Sequence, residues 1–384
     1  MFGISHTSKK FVAVADVSSG SVGVAILAIE DNRPATVMHD AHTSLSLDER
    51  SVEATAAGTL KSLQEAGDKV LADFSGGPHK GARISASYAI IGAPWTHSKT
   101  TRADSVFEKE TRITNTTITS LAQKAIAEEK DFDRSNLLES SIVRVELNGY
   151  ATGVPLGKTA HHISTVALIS DCEPSIRTGT TETLQKLFPH TKPILRSSAR
   201  ALTAAFSIIP SISKESVIVD IRTQATTVLV VRDALVVNYS IVNEGIASIL
   251  KRVSEKGVPE ETLSTIRMVE RDECADDTCK VMNDSMAHAE IELARVYGDA
   301  LTKIATPVRL PPNLVLVTHP DLMPWLTTFF SRIDFNQCTI TSQPFLVHGL
   351  ESAQLGTCVV SESDAPIDIG LLIASTLVNS EEAE

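Results

Sequence analysis

Residues 216–245 read SVIVDIRTQATTVLVVRDALVVNYSIVNEG, and this stretch gives the clearest indication of the fold. An apolar run rich in Val and Ile ends at Asp220, passes through a short hydroxyl-rich turn, and continues into two further apolar runs. Residues 11–30, FVAVADVSSGSVGVAILAIE, have the same layout around Asp16, and residues 34–44 predict a third strand after them. The chain therefore contains an internal repeat of two strand–turn–strand units, about 200 residues apart.

An Asp at the end of a strand, followed by a tight turn, can hold a hydrated cation that faces a phosphate group. Backbone N–H groups and hydroxyls of the turn can donate to the phosphate oxygens. One such hairpin is more simply explained as a capped turn of a β-meander, but two copies at domain-scale spacing favour a nucleotide held between two domains. The candidate metal ligands are Asp16 and Asp220. The candidate cofactor-binding residues of the two hairpins are Asp16, Ser18, Ser19, Gly20, Ser21, Asp220, Thr226 and Thr227.

The rest of the chain alternates predicted helices with predicted strands. Helical spacing appears over residues 48–73, 177–189 and 259–305, the last as one long polar region. Between residues 94 and 170, Thr and Ser become dense and the apolar runs shorten, which predicts a small α+β unit inserted into a larger domain. The Ser/Thr-rich run at 96–120 is interpreted as the solvated edge of this insertion in preference to a phosphorylated or partner-binding loop.

Composition excludes several classes of function. The chain has 384 residues and a net charge of -12, from 47 acidic and 35 basic residues, which argues against a binder of the nucleic-acid backbone. Aromatic residues are only 4%, so a stacking platform for bases is not expected. No apolar stretch is long enough to cross a membrane, and no signal peptide is visible, so direct membrane insertion is not expected.

The five cysteines are scattered and are expected to be reduced thiols of a cytoplasmic protein. Cys274 and Cys279 lie close together in an acidic stretch, but no matching pair of ligands follows. A plain surface segment is therefore favoured there over a metal site.

The layout resembles the actin-like ATPase superfamily and, within it, the FtsA and PilM group of cell-division and type IV pilus assembly proteins. The stretch SASYAIIGAP, the helix expected at 116–129 and the run VRVELNGYATGVPLGKTAHHISTVALIS follow the order seen around the small insertion of that group. The resemblance implies an α/β fold of duplicated actin-like (ribonuclease H-like) domains, with a small α+β insertion in the first half. The implied divisions are 1–92 (first part of the first half), 93–170 (inserted, partner-binding subdomain), 171–210 (helical connection), 211–379 (second half) and 380–384 (acidic tail).

The resemblance also implies ATP with Mg²⁺ as cofactor, but the motifs depart from the family pattern. Ser18 takes the place of the usual Gly in the first turn, and residues 222–225, Arg-Thr-Gln-Ala, replace the glycines of the second. On the adenosine side, Thr318 and His319 stand where relatives have a Gly-Gly turn, and both are added to the candidate cofactor-binding residues. Arg196 and Ser197 stand where relatives place a water-orienting carboxylate or amide.

These departures predict a non-enzymatic scaffold that binds nucleotide weakly or not at all, with no catalytic residue assigned. A PilM-like protein would lie in the cytoplasm, peripheral to the inner membrane, and would reach it through the cytoplasmic peptide of a membrane-anchored partner near residues 84–165. The acidic end of the chain gives no basic membrane-binding helix. The alternatives are an active ATPase or phosphotransferase of the superfamily, and a self-associating, filament-forming cytoskeletal protein.

Overall fold

The computed structural model describes residues 9–45, 51–129, 132, 134–210, 212–273, 277–306, 309–332, 338–340, 343–363 and 365–383. Its strands are β1 (Lys10–Ser18), β2 (Ser21–Ile29), β3 (Ala35–Ser44), β4 (Ile84–Ile91), β5 (Thr96–Arg112), β6 (Leu137–Leu147), β7 (Tyr150–Ala151), β8 (Thr159–Cys172), β9 (Pro193–Ser197), β10 (Ser216–Ile221), β11 (Thr226–Arg232), β12 (Leu235–Val242), β13 (Asn313–Val317), β14 (Leu346–Gly349) and β15 (Val359–Ser361). Its helices are α1 (Val52–Gly76), α2 (Asn115–Glu128), α3 (Pro174–Leu187), α4 (Ser198–Ser207), α5 (Ile246–Val253), α6 (Pro259–Glu270), α7 (Asp277–Ala305), α8 (Met323–Arg332) and α9 (Ile369–Ala383).

Two large sheets repeat one topology. The first has the order β15-β3-β2-β1-β4-β9 and the second the order β12-β11-β10-β13-β14. In each, an antiparallel hairpin and a third antiparallel strand are followed by two parallel strands on the other side of the first strand. The duplicated α/β fold predicted from the repeat is therefore confirmed.

The central strands are apolar at consecutive positions because both faces of each sheet are covered. One continuous core joins the facing sides of the two sheets with helices α4 and α9. Helices α1 and α3 cover the other face of the first sheet, and α5, α6, α7 and α8 cover that of the second. This sandwich brings the ends of β1 and β10 together in the middle of the molecule.

A third, smaller sheet lies between β4 and α3 in the chain. Its order is β5-β8-β6-β7, and α2 packs against it around Ile113, Ile118 and Leu121. The run expected as a solvated edge is a 17-residue edge strand, β5, followed by the start of α2. The domain boundaries predicted around this unit remain predictions.

Two segments differ from the sequence-based expectation. The polar region at 259–305 is two helices, α6 and α7. The segment expected as an acidic tail, 380–384, is mostly helical, because α9 continues to Ala383. In that last turn, Glu381 Oε1 forms ion pairs with Arg196 Nε at 2.9 Å and with Arg200 Nε at 2.8 Å. These ion pairs hold the acidic end of α9 in place.

The thiol prediction is wrong at one position. Cys279 is disulfide-bonded, whereas Cys172, Cys338 and Cys358 are free. Cys274 lies outside the described residues. No group of three or more metal-ligating side chains occurs within the part of the chain that the structure describes. The search of those same residues also finds no helix long and apolar enough to cross a membrane.

Candidate functional site

The two aspartates predicted from the repeat converge at the centre of the molecule. Asp16 lies near the end of β1 and Asp220 near the end of β10, and both are buried. Arg222, two residues after Asp220, extends its side chain between them. Its Nε lies 2.7 Å from Asp220 Oδ1 and its Nη1 lies 3.6 Å from Asp16 Oδ2. The shorter contact is an ion pair whose angle does not meet hydrogen-bond geometry.

A third carboxylate completes this cluster from the start of α9. Asp368 caps that helix, because its Oδ1 accepts hydrogen bonds from the amides of Gly370 at 2.9 Å and Leu371 at 3.2 Å. Its charge acts on Arg222 and on the other two aspartates. We call Asp16, Asp220, Arg222 and Asp368 the central charge cluster.

Burial dominates the electrostatics of the cluster. It raises the pKa of Asp16 to about 7, against the pull of Arg222 in the opposite direction. The pKa of Asp220 is also raised by burial, and Arg222 again opposes the change. Burial disfavours the charged form of Arg222, but the surrounding carboxylates outweigh it and raise the pKa of the guanidinium. Arg222 is therefore a permanent cation.

The backbone of α9 closes the cluster at Gly370. A Cβ built on Gly370 would overlap Arg222 Nη1 and Asp16 Oδ2. Only glycine lets the start of α9 approach the guanidinium this closely. The carboxylates, the guanidinium and the helix backbone together fill the space between the two hairpins.

The two hairpin turns also contact each other. Gly20 has a φ of +85°, and a Cβ there would lie 2.7 Å from Thr223 Cγ2. The second turn is closed by the amide of Arg222, which donates to the carbonyl of Ala225 at 3.0 Å. No gap for a phosphate chain separates Gly20 from Thr223.

The amino end of α5 is occupied by this same turn. The amides of Ile246 and Ala247 donate to the carbonyls of Arg222 and Thr223, both at 2.9 Å. Helix N-terminal amides are the groups that would otherwise bind a phosphate. Here the backbone of the second turn accepts their hydrogen bonds.

These contacts test whether Mg²⁺ fits the two aspartates. Mg²⁺ demands near-octahedral oxygen coordination, usually from one or two carboxylates, phosphate oxygens and waters. Between Asp16 and Asp220 stands a nitrogen cation that can only donate. The residues present therefore do not fit a divalent cation bridged by these carboxylates.

A cleft of about 1120 Å³ opens beside the cluster, between β3 of the first sheet and α5 and α6 of the second. It brings together four of the predicted cofactor-binding residues, which are Ser21, Asp220, Thr318 and His319. Its acidic lining residues are Asp40, Asp220, Glu255, Glu260 and Asp368, whereas its Lys and Arg residues are Lys251 and Arg222. The excess of carboxylates disfavours a polyphosphate.

The other predicted residues make structural contacts. Thr226 Oγ1 donates to the carbonyl of Glu244 at 2.6 Å and lies 3.0 Å from the hydroxyl of Tyr297. Thr227 is buried and hydrogen-bonded to Tyr239. Ser18 and Ser19 are buried in the first turn, where the amide of Ser19 donates to the carbonyl of Ala93 at 3.4 Å. Their role in nucleotide binding remains a prediction.

Thr318 and His319 line the cleft, and their place on the adenosine side of a nucleotide remains a prediction. Thr318 is buried and its hydroxyl has no hydrogen-bond partner. His319 Nδ1 accepts the amide of Asp321 at 3.2 Å, and burial lowers the pKa of the imidazole. Burial thus favours the neutral form of this turn residue.

Sequence reasoning missed three members of this region. Arg222 was noted only as a departure from the family turn, and Asp368 was not singled out, although an Asp before an apolar helix is a capping signal. The third is Glu139 of β6, whose Oε1 accepts the amide of Ser197 at 2.8 Å. A buried carboxylate thus stands beside Ser197, where the sequence predicted only Arg196 and Ser197, and no local signal indicated it.

Comparisons with known proteins test the fold. No protein-family model matches the sequence, and no curated protein matches it. Among solved structures, a PilM–PilN type IV pilus biogenesis complex matches with a TM-score of 0.57 at 9% identity, covering 97% of this chain and 98% of that one. The ethanolamine utilization protein EutJ from Carboxydothermus hydrogenoformans matches with a TM-score of 0.45 at 10% identity, covering 96% and 90%.

A third match is the activator of 2-hydroxyisocaproyl-CoA dehydratase from Clostridium difficile with bound ADPNP. Its TM-score is 0.38 at 11% identity, and the match covers 97% of this chain and 95% of that one. At 9% identity, the match to the PilM–PilN complex establishes the fold and not the activity. The chain has the fold of the actin-like ATPase superfamily, and it shares that fold along nearly its whole length with the pilus protein PilM.

Proposed function

We propose that this chain is a non-enzymatic, actin-like scaffold of a membrane-associated assembly, comparable to PilM in type IV pilus assembly. The carrying observation is the central charge cluster, in which Arg222 stands between the two aspartates that would hold a metal. Phosphoryl transfer on this fold needs a metal ion to neutralise the developing charge. A fold without that centre retains the shape of the family and its surfaces for binding partners.

The partner contact is proposed on the small sheet. Four large apolar side chains of this unit are strongly exposed: Val106 (78%), Tyr150 (80%), Val154 (69%) and Leu156 (49%). Exposed aromatic and aliphatic side chains of this kind supply the anchors of protein interfaces. The partner is a membrane-anchored protein with a cytoplasmic peptide, as the likeness to PilM implies, and the chain would lie at the inner membrane through it.

The test is fractionation of the cells that express the chain natively. We expect the wild-type chain in the membrane fraction and the double variant Tyr150→Ser/Val154→Ser in the soluble fraction. The matched control is Val281→Ser/Ile291→Ser on α7, which removes two apolar side chains of similar exposure from the second half. Membrane association that survives in the Tyr150→Ser/Val154→Ser variant would contradict the proposed contact.

An active ATPase or phosphotransferase is the second candidate. The cleft of about 1120 Å³ is large enough for a nucleotide. The charge cluster and the contacts of the two hairpin turns nevertheless favour the scaffold. Self-association and filament formation remain predictions.

A further inference from the structure

The central charge cluster joins the two halves of the molecule. Asp16 belongs to the first sheet and Asp220 to the second, and Arg222 lies in the turn that follows Asp220. Asp368 and Gly370 belong to the start of α9, which packs between the sheets. A single guanidinium therefore contacts three separate parts of the fold at one buried point.

The buried carboxylates of the cluster need a positive group beside them. Three carboxylates lie around one guanidinium, and two of them, Asp16 and Asp220, are buried, whereas Asp368 and Arg222 are half-buried. Uncompensated buried carboxylates are costly, so the arrangement requires a resident cation. In this chain that cation is the guanidinium of Arg222, which is part of the second turn and does not have to be bound from solution.

The turn that carries Arg222 also packs against the first turn and against the start of α5. Gly20 of the first turn lies against Thr223, the residue after Arg222. The amides at the start of α5 are bound to the same turn. The two hairpins are thus in direct contact with each other.

We infer that Arg222 is a built-in substitute for the metal ion, which holds the two halves closed in the absence of nucleotide and excludes divalent cations from Asp16 and Asp220. The guanidinium and a divalent cation compete for the same carboxylates. Removing the guanidinium therefore creates a divalent-cation site where the wild-type protein has none. This inference rests on the cluster alone and is independent of the partner contact proposed above.

The experiment is a titration of the purified full chain with Mn²⁺, followed by the electron paramagnetic resonance signal of the free ion. We expect no saturable Mn²⁺ binding to the wild type. We expect one saturable Mn²⁺ site per chain in Arg222→Ala, made by oxygen ligands. Arg222→Ala/Asp220→Asn should lose that site, and Arg222→Lys, which keeps a cation in the turn, should not gain it.

Saturable Mn²⁺ binding to the wild type that Asp16→Asn abolishes would overturn the inference. So would a folded Arg222→Ala variant, with wild-type circular dichroism, that binds no more Mn²⁺ than the wild type. Should Arg222→Ala not fold, hydrogen exchange of the wild type decides. Amides of residues 18–21 and 222–225 should exchange equally slowly with and without Mg²⁺ and ATP, and marked slowing on addition of both would overturn the inference.

Discussion

Replacing Asp16 with Asn should change how the stability of the protein depends on pH. The pKa of Asp16 is about 7 against an ordinary 3.8, because burial outweighs the attraction of Arg222, and the carboxylates of Asp368 and Asp220 add to the effect. The folded protein therefore keeps a proton on Asp16 that the unfolded chain loses at lower pH. The stability contributed by this proton is complete below about pH 4 and is lost as the pH rises to about 7.

The size of the effect follows from the difference between the two pKa values. One pKa unit corresponds to about 1.4 kcal/mol, so ionised Asp16 lowers the free energy of unfolding by about 4 kcal/mol above pH 7. The Asp16→Asn variant has no group to ionise at this position. Its free energy of unfolding, relative to the wild type, should rise between pH 4 and pH 7 and then level off.

The assay is urea unfolding of the wild type and Asp16→Asn at several pH values between 4 and 8. Asp31→Asn, in the exposed turn after β2, is the control for removing a carboxylate from the surface. Comparing variants cancels the contributions of groups that titrate alike in both. Parallel curves for the wild type and Asp16→Asn across this range would refute the assignment of a buried, protonated Asp16.

Three further substitutions test the packing around the site by urea unfolding. Gly370→Ala places a methyl group against Arg222 and should cost about 1–3 kcal/mol; an unchanged midpoint would speak against the close approach of α9. Thr226→Val removes both hydrogen bonds of this buried hydroxyl and should lower the free energy of unfolding by about 1–3 kcal/mol. An unchanged free energy of unfolding would contradict a structural role for this hydroxyl. Glu139→Leu leaves the buried amide of Ser197 unpaired and should cost about 3 kcal/mol, with Glu139→Gln costing less; equal losses would argue against a role for the hydrogen bond.

The large sheets could be predicted from the sequence because their central strands are long apolar runs, interrupted by few polar residues. Strands that are covered on both faces need no alternation, so the runs at residues 11–30 and 216–245 stand out from the surrounding polar chain. The repeat of the pattern then predicted the duplicated fold. Both predictions depend only on composition and order along the chain.

The long edge strand β5 could not be predicted in the same way. Its residues, Thr96–Arg112, are mostly polar, and its outer half is largely exposed. Such a strand is held by backbone hydrogen bonds to β8 and not by burial of its own side chains. The composition of residues 96–112 therefore does not predict the pairing of β5 with β8.

The sequence predicts only part of the candidate site. The approach of Asp16 to Asp220 followed from the repeat, because equivalent strand ends meet in a duplicated fold. The direction of the Arg222 side chain depends on a partner in the other half, and the place of Asp368 depends on a helix at the far end of the chain. Interactions between residues this far apart leave no pattern in one sequence.

The most direct test of the account is a calorimetric titration of the wild-type chain with ATP in the presence of Mg²⁺. With Arg222 between the two aspartates, we predict no Mg²⁺-dependent binding of ATP up to about millimolar concentration, and no release of phosphate. Micromolar, Mg²⁺-dependent binding that Asp16→Asn abolishes would contradict the claim that a guanidinium has taken the place of the metal.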